Sequence, residues 1–526
     1  MEYTLIANSG IQFLTIPFTI NYAQDTDKLL FYEWFEEEPS CEWNIDLAYW
    51  LNTCGKAILM SDLEDCNFID PVTKKLKQTP EYVISSGIKP IGEGDIASCP
   101  GLFYMSATDR NNKLDMLLNH WLPMPCYELD IFEQIKLGPY NWCRFKLIPL
   151  KKTGETLSAT LLIAFDTHTT YGSAPTFCEN PFFESNTEKE KKFRFCQRPR
   201  MTLDYCRQKK GWVEKAVMKI VHEVDDFNQI KVDGKKKEHQ YAFLATYVWL
   251  VDFIANRCTL PEIRLIREQN VDRIPVEMII DIGNSRTAAI LYEGEFAKVQ
   301  HLSLLNMNTP VDETGKLNRT DESFDMRIAF QNVDFGDNIR GSSQFVWPSM
   351  VRLGTEAQEL TYKTINLAEG DEFFSTYSSP KRYLWDDKRR KDKEEWRTVP
   401  LDENSKNNIP VIEGVSNFFN DDGSLAIDEL GNGCHYSRKT LMTLAFMEIL
   451  TQTTVQINSH EYRDFRGSRS VGRYLDKIII TCPTGMSKKE QKAMHQCLKD
   501  AIYILWKYQT NRDSGEGNDT YGSAKP

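Results

Sequence analysis

The feature that most constrains the fold is the segment Val276–Tyr292, whose sequence is VEMIIDIGNSRTAAILY. Two apolar runs of strand length flank a polar stretch that begins at Asp281 and contains Gly283 and Asn284. Apolar runs bounded by Gly and Asn are typical of paired strands joined by a tight turn. The sequence therefore predicts two successive strands, the first of which ends in a carboxylate.

Size and charge limit the classes of partner. The chain has 526 residues, of which 41% are hydrophobic and 26% charged, and its net charge is -12 with a pI near 5.4. At about 150 residues per domain, this length predicts three or four domains or subdomains. Nucleic-acid backbones bind clustered Lys and Arg, so an acidic chain is a poor match for them. We expect a protein or small-molecule partner and no nucleic acid.

Cysteine usage and apolar windows bear on the compartment. The cysteines number 13 and include no Cys-x-x-Cys pair, which argues against a disulfide framework and a zinc site. The N-terminal sequence MEYTLIANSGIQFL lacks the basic-then-apolar order of a signal peptide. The most apolar window, Tyr241–Ile254, is too short to span a bilayer and contains Asp252. These features predict a cytoplasmic protein with reduced thiols and no membrane span.

The first half of the chain carries no chemical motif in its first 150 residues. Residues 1–150 alternate short apolar runs with Gly, Pro, Asn and Asp clusters, a pattern typical of a β-rich or mixed α/β domain. Residues 151–270 are expected to complete a hairpin that turns at Lys151–Gly154 and then to form two helices, Trp212–Val224 and Gln240–Arg257. The basic segment Lys231–His239 is interpreted as a solvated loop between those helices.

The second half alternates polar insertions with strong periodic segments. We interpret residues 306–345 and 386–433 as long loops or insertions between elements of one domain, because apolar segments resume after each of them. Helical spacing predicts a helix over Lys439–Ile457 with one apolar face. A strand at Asp476–Cys482 follows, and then a capping box at Ser487–Glu490 opens a second helix. The predicted buried face of that second helix is Ala493, Met494, Cys497, Ala501 and Leu505.

The polar turn after Asp281 has the chemistry of a phosphate site. To bind a nucleoside triphosphate, a protein needs backbone N–H groups that converge on the phosphate oxygens and a carboxylate near the Mg²⁺ ion. Gly283 permits a tight turn and a close approach of the backbone, while Asn284 and Ser285 add polar donors. Asp281 is the candidate Mg²⁺ ligand, acting through water. The alternative is a plain hairpin turn, since Asn and Gly are the commonest turn residues.

This turn resembles the first phosphate loop, Asp-x-Gly-Thr-[Thr/Ser], of the DnaK-type chaperones and their relatives among actins and sugar kinases. Later segments resemble chaperone segments in the same order: Trp347–Val351 the Pro-Ser-x-Val strand, Ser379–Leu384 the Lys-Arg-Leu segment, and Ile478–Pro483 the strand that ends in Val-Pro. More narrowly, WPSMVRLG together with SSPKRYLWDD resembles the bacterial SrfB family of virulence factors, regarded as divergent relatives of these chaperones.

The resemblance implies a fold class and two cofactors. It implies an α/β chain whose N-terminal region is followed, at residues 271–507, by the first lobe of an actin- and DnaK-like, or ribonuclease H-like, ATPase fold that binds ATP and Mg²⁺. Lys381 inherits a candidate catalytic role at the γ-phosphate, beside Asp281. Arg286 and Thr287 join Gly283, Asn284 and Ser285 as candidate cofactor contacts. The alternative is a surface Lys381 beside Arg382, and a solvated Arg286.

Three stretches bear on how much of such a fold is present. A complete fold of this class has a second lobe with an Asp-Gly-Gly loop, and we expect the chain to be truncated before that lobe, with residues 508–526 forming a polar tail. Asp428–Gly433, DELGNG, superficially resembles the missing loop but precedes the central helix, so a simple loop is favoured. Leu161–Ala174 repeats the strand-then-Asp pattern at Asp166 and makes 151–270 a possible degenerate ATPase-like lobe or a connector. Because His168 stands where glycine is needed, a plain hairpin strand is favoured there.

The sequence leaves three functions open. The first is an ATP-binding switch that acts on an unidentified protein partner. The second is a small-molecule kinase, because Asp-x-Gly-Asn-[Ser/Thr] also resembles type III pantothenate kinases. The third is a scaffold that kept the fold without turnover. Since hydrolysis needs groups from both lobes, we expect this chain alone to bind ATP weakly and to hydrolyse it negligibly.

Overall fold

A computed structural model of the chain describes residues 2–22, 29–34, 44–51, 56–59, 63–66, 81–84, 91–92, 102–171, 180–185, 187–196, 199–206, 213, 216–217, 219–220, 236–267, 273–294, 299–320, 322–336, 344–365, 376–386 and 438–514. These residues form a mixed α/β protein with several sheets and few helices, which confirms the α/β part of the predicted fold class. Asp428–Gly433 lies outside the described residues.

The N-terminal half is dominated by strands. They are β1 (Glu2–Ile6), β2 (Ile11–Asn21), β3 (Leu29–Trp34), β4 (Asn44–Leu51), β5 (Lys56–Leu59), β6 (Leu63–Cys66), β7 (Glu81–Ile84), β8 (Ile91–Gly92), β9 (Leu102–Met105), β10 (Trp121–Pro123), β11 (Cys126–Leu129), β12 (Ile135–Tyr140), β13 (Cys143–Thr153), β14 (Thr156–Asp166), β15 (Thr170–Tyr171), β16 (Phe182–Phe183), β17 (Glu190–Phe195) and β18 (Glu262–Ile266). The helices are α1 (Ala107–Leu117), α2 (Pro199–Cys206) and α3 (Lys236–Arg257).

Two sheets and α3 enclose the first core. Sheet I has the order β1-β18-β17-β11-β12, in which β1 and β18 are parallel and the other pairs antiparallel. Sheet II is antiparallel with the order β10-β13-β14-β2. Smaller sheets have the orders β8-β5-β4-β3-β9, β6-β7 and β15-β16. Apolar side chains from sheets I and II and from α3 form one continuous core, so residues 1–150 and 151–270 share it.

The hairpin predicted across residue 150 is present. β13 and β14 pair in antiparallel register from Cys143↔Phe165 to Thr153↔Thr156, with the turn at Gly154 and Glu155. The boundary predicted between residues 150 and 151 therefore falls inside β13. β14 is buried over most of its length because its two faces pack in different cores, which explains its continuous apolar sequence.

The C-terminal half contains strands β19 (Ile274–Ile282), β20 (Arg286–Tyr292), β21 (Gln300–His301), β22 (Ser323–Asp325), β23 (Arg327–Phe330), β24 (Val351–Leu353), β25 (Thr376–Ser378) and β26 (Arg473–Thr481). Its helices are α4 (Gly354–Ile365), α5 (Thr440–Ile457), α6 (His460–Phe465) and α7 (Lys488–Ser514), and Pro380–Tyr383 form a 3₁₀-helix. Sheet III has the order β21-β20-β19-β26, and β22 also pairs with β20. A small sheet has the order β24-β23-β25.

Sheet III combines a hairpin with a parallel strand. β19 and β20 are antiparallel, whereas β26 runs parallel to β19 with Asp281 opposite Thr481. Residues of β19 alternate between a buried face and a more exposed one, and the buried face packs in the second core with α5 and α7. A parallel pair requires a long crossover, which here contains α4 and α5.

Helix α5 is buried on nearly all sides, which is more than the single apolar face that its sequence predicts. Its polar side chains bind the backbone of the segment after β21 instead of water. Gln452 accepts from Leu305 N and donates to Leu305 O, both at 3.1 Å, while Gln456 accepts from Ser303 N and donates to His301 O, both at 2.8 Å. These bonds satisfy buried amides and allow a polar helix face to lie inside the protein.

A third core joins the two halves. It packs Ile11, Phe13, Leu162 and Ala164 of sheet II against side chains of the C-terminal half, which are Leu305, Val311, Phe335, Phe345, Trp347 and Val455. We call this contact region between the two halves the seam, and polar contacts also stabilise it. An Arg463 guanidinium donates to Thr4 O, and the Tyr3 and His460 rings stack with centroids 4.7 Å apart. The seam meets sheet III at the N-terminal ends of β19 and β26.

Three sequence predictions in these regions need correction. Residues 306–336 are not a plain loop, because they contain β22 and β23 and bury Phe324 and Phe330. Their Asn and Asp side chains close local turns: Asn306 Oδ1 accepts from Asn308 N and Thr309 N. Helix α3 begins at Lys236, so the last residues of the predicted loop Lys231–His239 are helical.

The predicted start of the polar tail at residue 508 also needs correction, because that residue is helical. Helix α7 begins at Lys488, as the capping box predicts, and continues to Ser514, with Tyr508 buried. Its buried residues include Met494, Cys497 and Ala501, while Ala493 and Leu505 are only partly buried. The helix passes residue 508 because the sequence has no Gly or Pro before Gly515.

Candidate functional site

The hairpin between β19 and β20 forms the centre of the candidate site. Its turn residues are Asn284 and Ser285, and Gly283 N donates to Arg286 O at 2.9 Å to close the turn. A Cβ atom at position 283 would lie 2.4 Å from Arg286 O. Such contacts do not occur between real atoms, so the hairpin requires glycine for the approach of its own opposite strand.

Asp281 lies at the open end of sheet III and is exposed. Its Oδ1 accepts a hydrogen bond of 2.7 Å from Thr481 Oγ1. Thr481 is the last residue of the neighbouring strand β26. The two residues are directly opposite in the parallel register, so their side chains leave the same face of the sheet. Thr481 therefore fixes the orientation of the Asp281 carboxylate.

Lys381 reaches the same turn from a distant part of the sequence. Its Nζ donates to Ile282 O at 2.7 Å, across a separation of 99 residues. The 3₁₀-helix that carries Lys381 is held by Ser379, whose backbone N donates to Met326 O at 2.8 Å and whose φ is +55°. The ammonium group thus lies beside the hairpin, whereas the neighbouring Arg382 is exposed.

The remaining predicted contacts face in different directions. Asn284 and Ser285 are exposed, and their backbone N–H groups have no acceptor among the described residues. Arg286 extends outward and forms an ion pair with Asp325 at 3.2 Å. Thr287 is buried with the core-facing residues of β20, and its hydroxyl has no hydrogen-bond partner in the described structure. The turn therefore presents two free N–H groups to solvent, while Thr287 faces the core.

The N-terminus of α7 borders the site on another side. Ser487 and Glu490 form the predicted capping box, with Glu490 N donating to Ser487 Oγ at 3.2 Å and Ser487 N donating to Glu490 Oε2 at 3.0 Å. Hydrogen bonds from Ser487 lower the pKa of Glu490, and the charge of Lys381 lowers it further. The charge of Lys381 therefore acts on the first turn of α7 as well as on the hairpin turn.

These groups can bind an anion accompanied by a hydrated cation. Two backbone N–H groups and an ammonium group suit phosphate oxygens, and an oriented carboxylate suits a metal ion that keeps its water ligands. The family model described as "Virulence factor SrfB" matches residues 1–524. The chain belongs to the SrfB family. No protein with a curated description matches it.

Two residues near the site of this SrfB-family chain were missed by sequence reasoning. Thr481 carries no motif of its own, although it lies in the strand predicted at Asp476–Cys482. The carboxyl ends of parallel strands meet at one edge of a sheet, so pairing of the predicted strands would have brought Thr481 to Asp281. Glu490 was assigned only to the capping box, and its closeness to Lys381 depends on the tertiary fold.

The Asp166 turn of this SrfB-family chain has a different environment. Asp166 is 2% exposed, its Oδ2 accepts from Phe345 N at 2.6 Å, and its Oδ1 accepts from His168 N at 3.1 Å. Phe345 belongs to the C-terminal half, so the carboxylate links the two halves at the seam. This agrees with the sequence preference for a plain strand end over a second phosphate loop.

The described residues contain neither a metal-binding cluster nor a membrane-spanning helix. Within the ranges given above, no group of three or more His, Cys, Asp and Glu side chains could hold a metal ion. No helix in the described part of this SrfB-family chain is long and apolar enough to cross a membrane. Among the described residues, Asp281 therefore belongs to no cluster that could hold a metal ion by itself.

Proposed function

We propose that this SrfB-family chain binds Mg²⁺-ATP at the β19–β20 turn, and that the bound nucleotide changes its affinity for a protein partner. The proposed contacts are Asp281, Gly283, Asn284, Ser285 and Lys381. In this proposal the C-terminal half is the first lobe of an actin- and DnaK-like ATPase fold.

The order of strands in sheet III supports the assignment of the lobe. A hairpin with a polar turn is followed, after a crossover that contains α5, by a strand parallel to the first strand of the hairpin. The turn and the end of β26 then lie at the same edge of the sheet. Ligands of open α/β sheets bind at the carboxyl ends of parallel strands, which is where Asp281 lies.

The observation that carries the proposal is the hydrogen bond from Lys381 Nζ to Ile282 O at 2.7 Å. This bond holds the ammonium group beside the exposed turn residues, although Lys381 and Ile282 are 99 residues apart in the sequence. A lysine in that position neutralises phosphate charge during binding and transfer. The alternative reading of Lys381 as part of a solvated basic pair predicts no such contact.

The residues present fit a hydrated Mg²⁺. Asp281 offers a carboxylate whose only hydrogen bond among the described groups is the one from Thr481 at 2.7 Å. Mg²⁺ in nucleotide sites keeps several waters and uses one or two carboxylates together with phosphate oxygens. When bound, the ion would neutralise phosphate charge. The chain's own contribution is to orient Asp281 and to hold Lys381 and the turn N–H groups toward the same space.

Binding is expected to be weak and turnover negligible. The polar groups proposed to hold the nucleotide all lie at one edge of sheet III. Hydrolysis requires groups preorganised around both sides of the phosphates. The nucleotide therefore acts in this chain as a ligand that stabilises one conformation, and a partner that prefers that conformation binds more tightly in its presence.

The test is titration of the full chain with a fluorescent ATP analogue in the presence and absence of Mg²⁺. We expect saturable binding that weakens at least tenfold in Asp281→Ala and in Lys381→Ala. Arg382→Ala is the matched control, because this neighbouring cation is exposed and makes no side-chain contact with the turn. Circular dichroism of each variant verifies that the fold is retained.

The outcomes separate the competing functions. Equal affinity in wild type, Asp281→Ala and Lys381→Ala would remove the proposed site, as would a loss in Arg382→Ala that equals the loss in Lys381→Ala. Absence of any ATP binding at millimolar concentration would leave the scaffold function. Fast ATP hydrolysis by the chain alone would overturn the expectation of a nucleotide that is bound without turnover.

A further inference from the structure

A cavity of about 220 Å³ lies in the seam, where both halves of the chain contribute to its walls. Sheet II supplies Trp121 of β10 and Lys146 of β13, and the C-terminal half supplies Gln331, Arg352 and Glu356. Liquid water occupies about 30 Å³ per molecule, so the volume suffices for about seven waters or for one small organic molecule. We call this space the seam cavity, and its lining includes none of the residues proposed to bind ATP.

The Lys146 ammonium group lies at the seam cavity without an acceptor. Its Nζ is 5.8 Å from the centroid of the Trp121 ring and makes no hydrogen bond and no ion pair among the described residues. Burial lowers the pKa of Lys146, and the charge of Asp334 offsets part of that effect. An ammonium group has three N–H donors, and removing it from water without acceptors is costly. Lys146 is therefore suited to an anion that enters the cavity.

Two further side chains of the lining have donors without acceptors. The indole N–H of Trp121 and the amide N–H groups of the Gln331 side chain have no partner among the described residues. Gln331 is held by its other end, because its Oε1 accepts from Asn308 Nδ2 at 2.8 Å. Together with Lys146, these groups give the seam cavity an excess of donors. Oxygen atoms of a ligand would supply the acceptors that they lack.

The other charged side chains of the lining balance one another. Arg352 is buried and pairs with the buried Glu448 at 2.9 Å. Asp334 and Lys219 are both exposed and carry opposite charges. Lys146 therefore leaves the seam cavity with an excess of one positive charge when these groups are ionised.

Glu356 and His120 are the groups of the lining that titrate near neutral pH. Glu356 accepts from Asn308 N and Nδ2 at 3.0 and 2.9 Å, and its pKa of about 7 leaves it mostly uncharged at pH 6. A histidine side chain is either neutral or positive. At pH 6 these two residues therefore leave the positive excess at the seam cavity largely unchanged or increase it.

Charge and size together select the class of ligand. A single negative charge matches an excess of about one positive charge, whereas phosphate carries nearly two negative charges at neutral pH and would face Asp334 as well. A carboxylate offers two oxygens that accept from several donors at once. The side chains of Ile220 and Val333 and the ring of Trp121 give the cavity apolar walls for a short carbon skeleton.

We propose that the seam cavity binds a small organic monocarboxylate, whose oxygens accept hydrogen bonds from Lys146, Trp121 and Gln331. Because both halves line the cavity, the bound carboxylate holds them in contact and stabilises the folded chain. This binding is independent of the proposed ATP site, since the two sites share no residue.

Isothermal titration calorimetry of the full chain at pH 6 tests the proposal, with benzoate and lactate as probes. We expect saturable binding of one carboxylate per chain and a higher melting temperature at saturation. Lys146→Met should weaken binding at least tenfold, because it removes the ammonium group and keeps an apolar side chain of similar length. Lys151→Met is the matched control: it removes the same charge from the same strand, but Lys151 is exposed and lies outside the cavity.

Two further comparisons separate recognition of the anion from a loss of folding. Trp121→Phe keeps an aromatic ring and removes the indole N–H, so the affinity for benzoate should fall three- to tenfold. Benzamide has the shape of benzoate without its charge and should bind the wild-type chain at least tenfold more weakly, a comparison that needs no variant. Circular dichroism verifies that each variant is folded.

The possible results decide the proposal. Absence of binding by both carboxylates at tens of millimolar would overturn it, as would equal affinity for benzoate in the wild-type chain and in folded Lys146→Met. Equal affinity of the wild-type chain for benzamide and benzoate would show that the cavity does not recognise the charge, with the same consequence. Tighter binding of inorganic phosphate than of either carboxylate, lost in Lys146→Met, would assign the cavity to phosphate instead.

Discussion

Two strands of this SrfB-family chain, β14 and β19, end in or near an aspartate that leads into a polar turn, and the structure uses them in opposite ways. Asp166, after β14, is buried and accepts hydrogen bonds from two backbone N–H groups, one of them in the other half of the chain. Asp281, near the end of β19, is exposed and is held by one hydroxyl group. A buried carboxylate with satisfied oxygens stabilises the fold, whereas an exposed and oriented one remains available to a ligand.

The difference extends to the regions around them. The seam between the halves contains a third core and buried polar groups such as Glu356, Arg352 and Glu448. The open end of sheet III contains Lys381, Thr481 and a turn with free N–H groups. In the sequence the two turns differ at one informative position, His168 against Gly283, and the structure adds what surrounds each strand end. Variants at the seam should therefore change stability, and variants at the open end should change binding.

The largest expected effect is that of Asp166→Ala. The substitution leaves Phe345 N and His168 N buried without their acceptor, so the free energy of unfolding should fall by about 3–4 kcal/mol. Asp281→Ala should change it by less than about 0.5 kcal/mol, because the site is exposed. Urea unfolding of the two variants measures the contrast, and equal losses would contradict the division into a stabilising turn and a binding turn.

The second effect is a pH dependence that originates in the seam. The pKa of Glu356 is raised to about 7. Burial is the main cause, the charge of Arg352 offsets part of the rise, and the charge of Glu448 adds to it. Below pH 4.5 the group is protonated in both states, and between pH 4.5 and 7 the folded protein holds a proton that the unfolded chain releases. The contribution of Glu356 to stability therefore falls by about 2–3 kcal/mol as pH rises through that window.

Glu356→Gln provides the comparison, because the amide keeps an oxygen to accept the bonds from Asn308 N and Nδ2. Its stability should lack the decline between pH 4.5 and 7. Urea midpoints at several pH values, measured for both proteins, give the two slopes. Parallel curves would mean that Glu356 titrates in the folded protein as it does in the unfolded chain.

The third effect belongs to the open end. A Cβ atom in Gly283→Ala would contact Arg286 O, so the hairpin must shift at a cost of about 2 kcal/mol, and ATP affinity should fall at least tenfold. Gly485→Ala is the control, because a Cβ atom at that nearby position meets no atom within 4 Å. Binding titrations and urea unfolding measure both quantities, and identical results for the two alanine variants would exclude a strict need for glycine at the turn.

The smallest effect is that of Thr481→Val. Removal of the hydroxyl group frees the Asp281 carboxylate at nearly constant volume, and affinity for Mg²⁺-ATP should fall three- to tenfold, or about 1 kcal/mol. Thr481→Ser should restore most of the affinity because it keeps the donor. If the serine variant is as weak as the valine variant, loss of packing rather than loss of the hydrogen bond is responsible.

Local patterns in the sequence predicted local structure well. Helix α5 differs by one residue from the predicted helix Lys439–Ile457, and the capping box at Ser487–Glu490 is present. Turn residues and helical spacing act over a few positions, so one sequence is enough to read them. The two hairpins around Gly154 and Gly283 were found for the same reason.

Long-range pairing could not be read in this way. Nothing in β1 indicates that its parallel neighbour is β18, about 260 residues later. The bond between Asp166 and Phe345 and the bond between Asp281 and Thr481 likewise depend on how distant segments pack. Polar side chains in residues 306–336 suggested a loop because the sequence does not reveal that they bind backbone groups inside the protein.

The pairing of Asp281 with Thr481 also delays completion of sheet III during synthesis of the chain. The two residues are 200 positions apart, and a ribosome adds about 5–20 residues per second, so strand β19 waits about 10–40 s for its parallel neighbour to be made. Through that interval one edge of β19 has no hydrogen-bonded partner, while its other edge is paired with β20. A nascent chain that stalls before residue 481 therefore exposes an unpaired, aggregation-prone edge of β19 and cannot bind nucleotide in the way proposed.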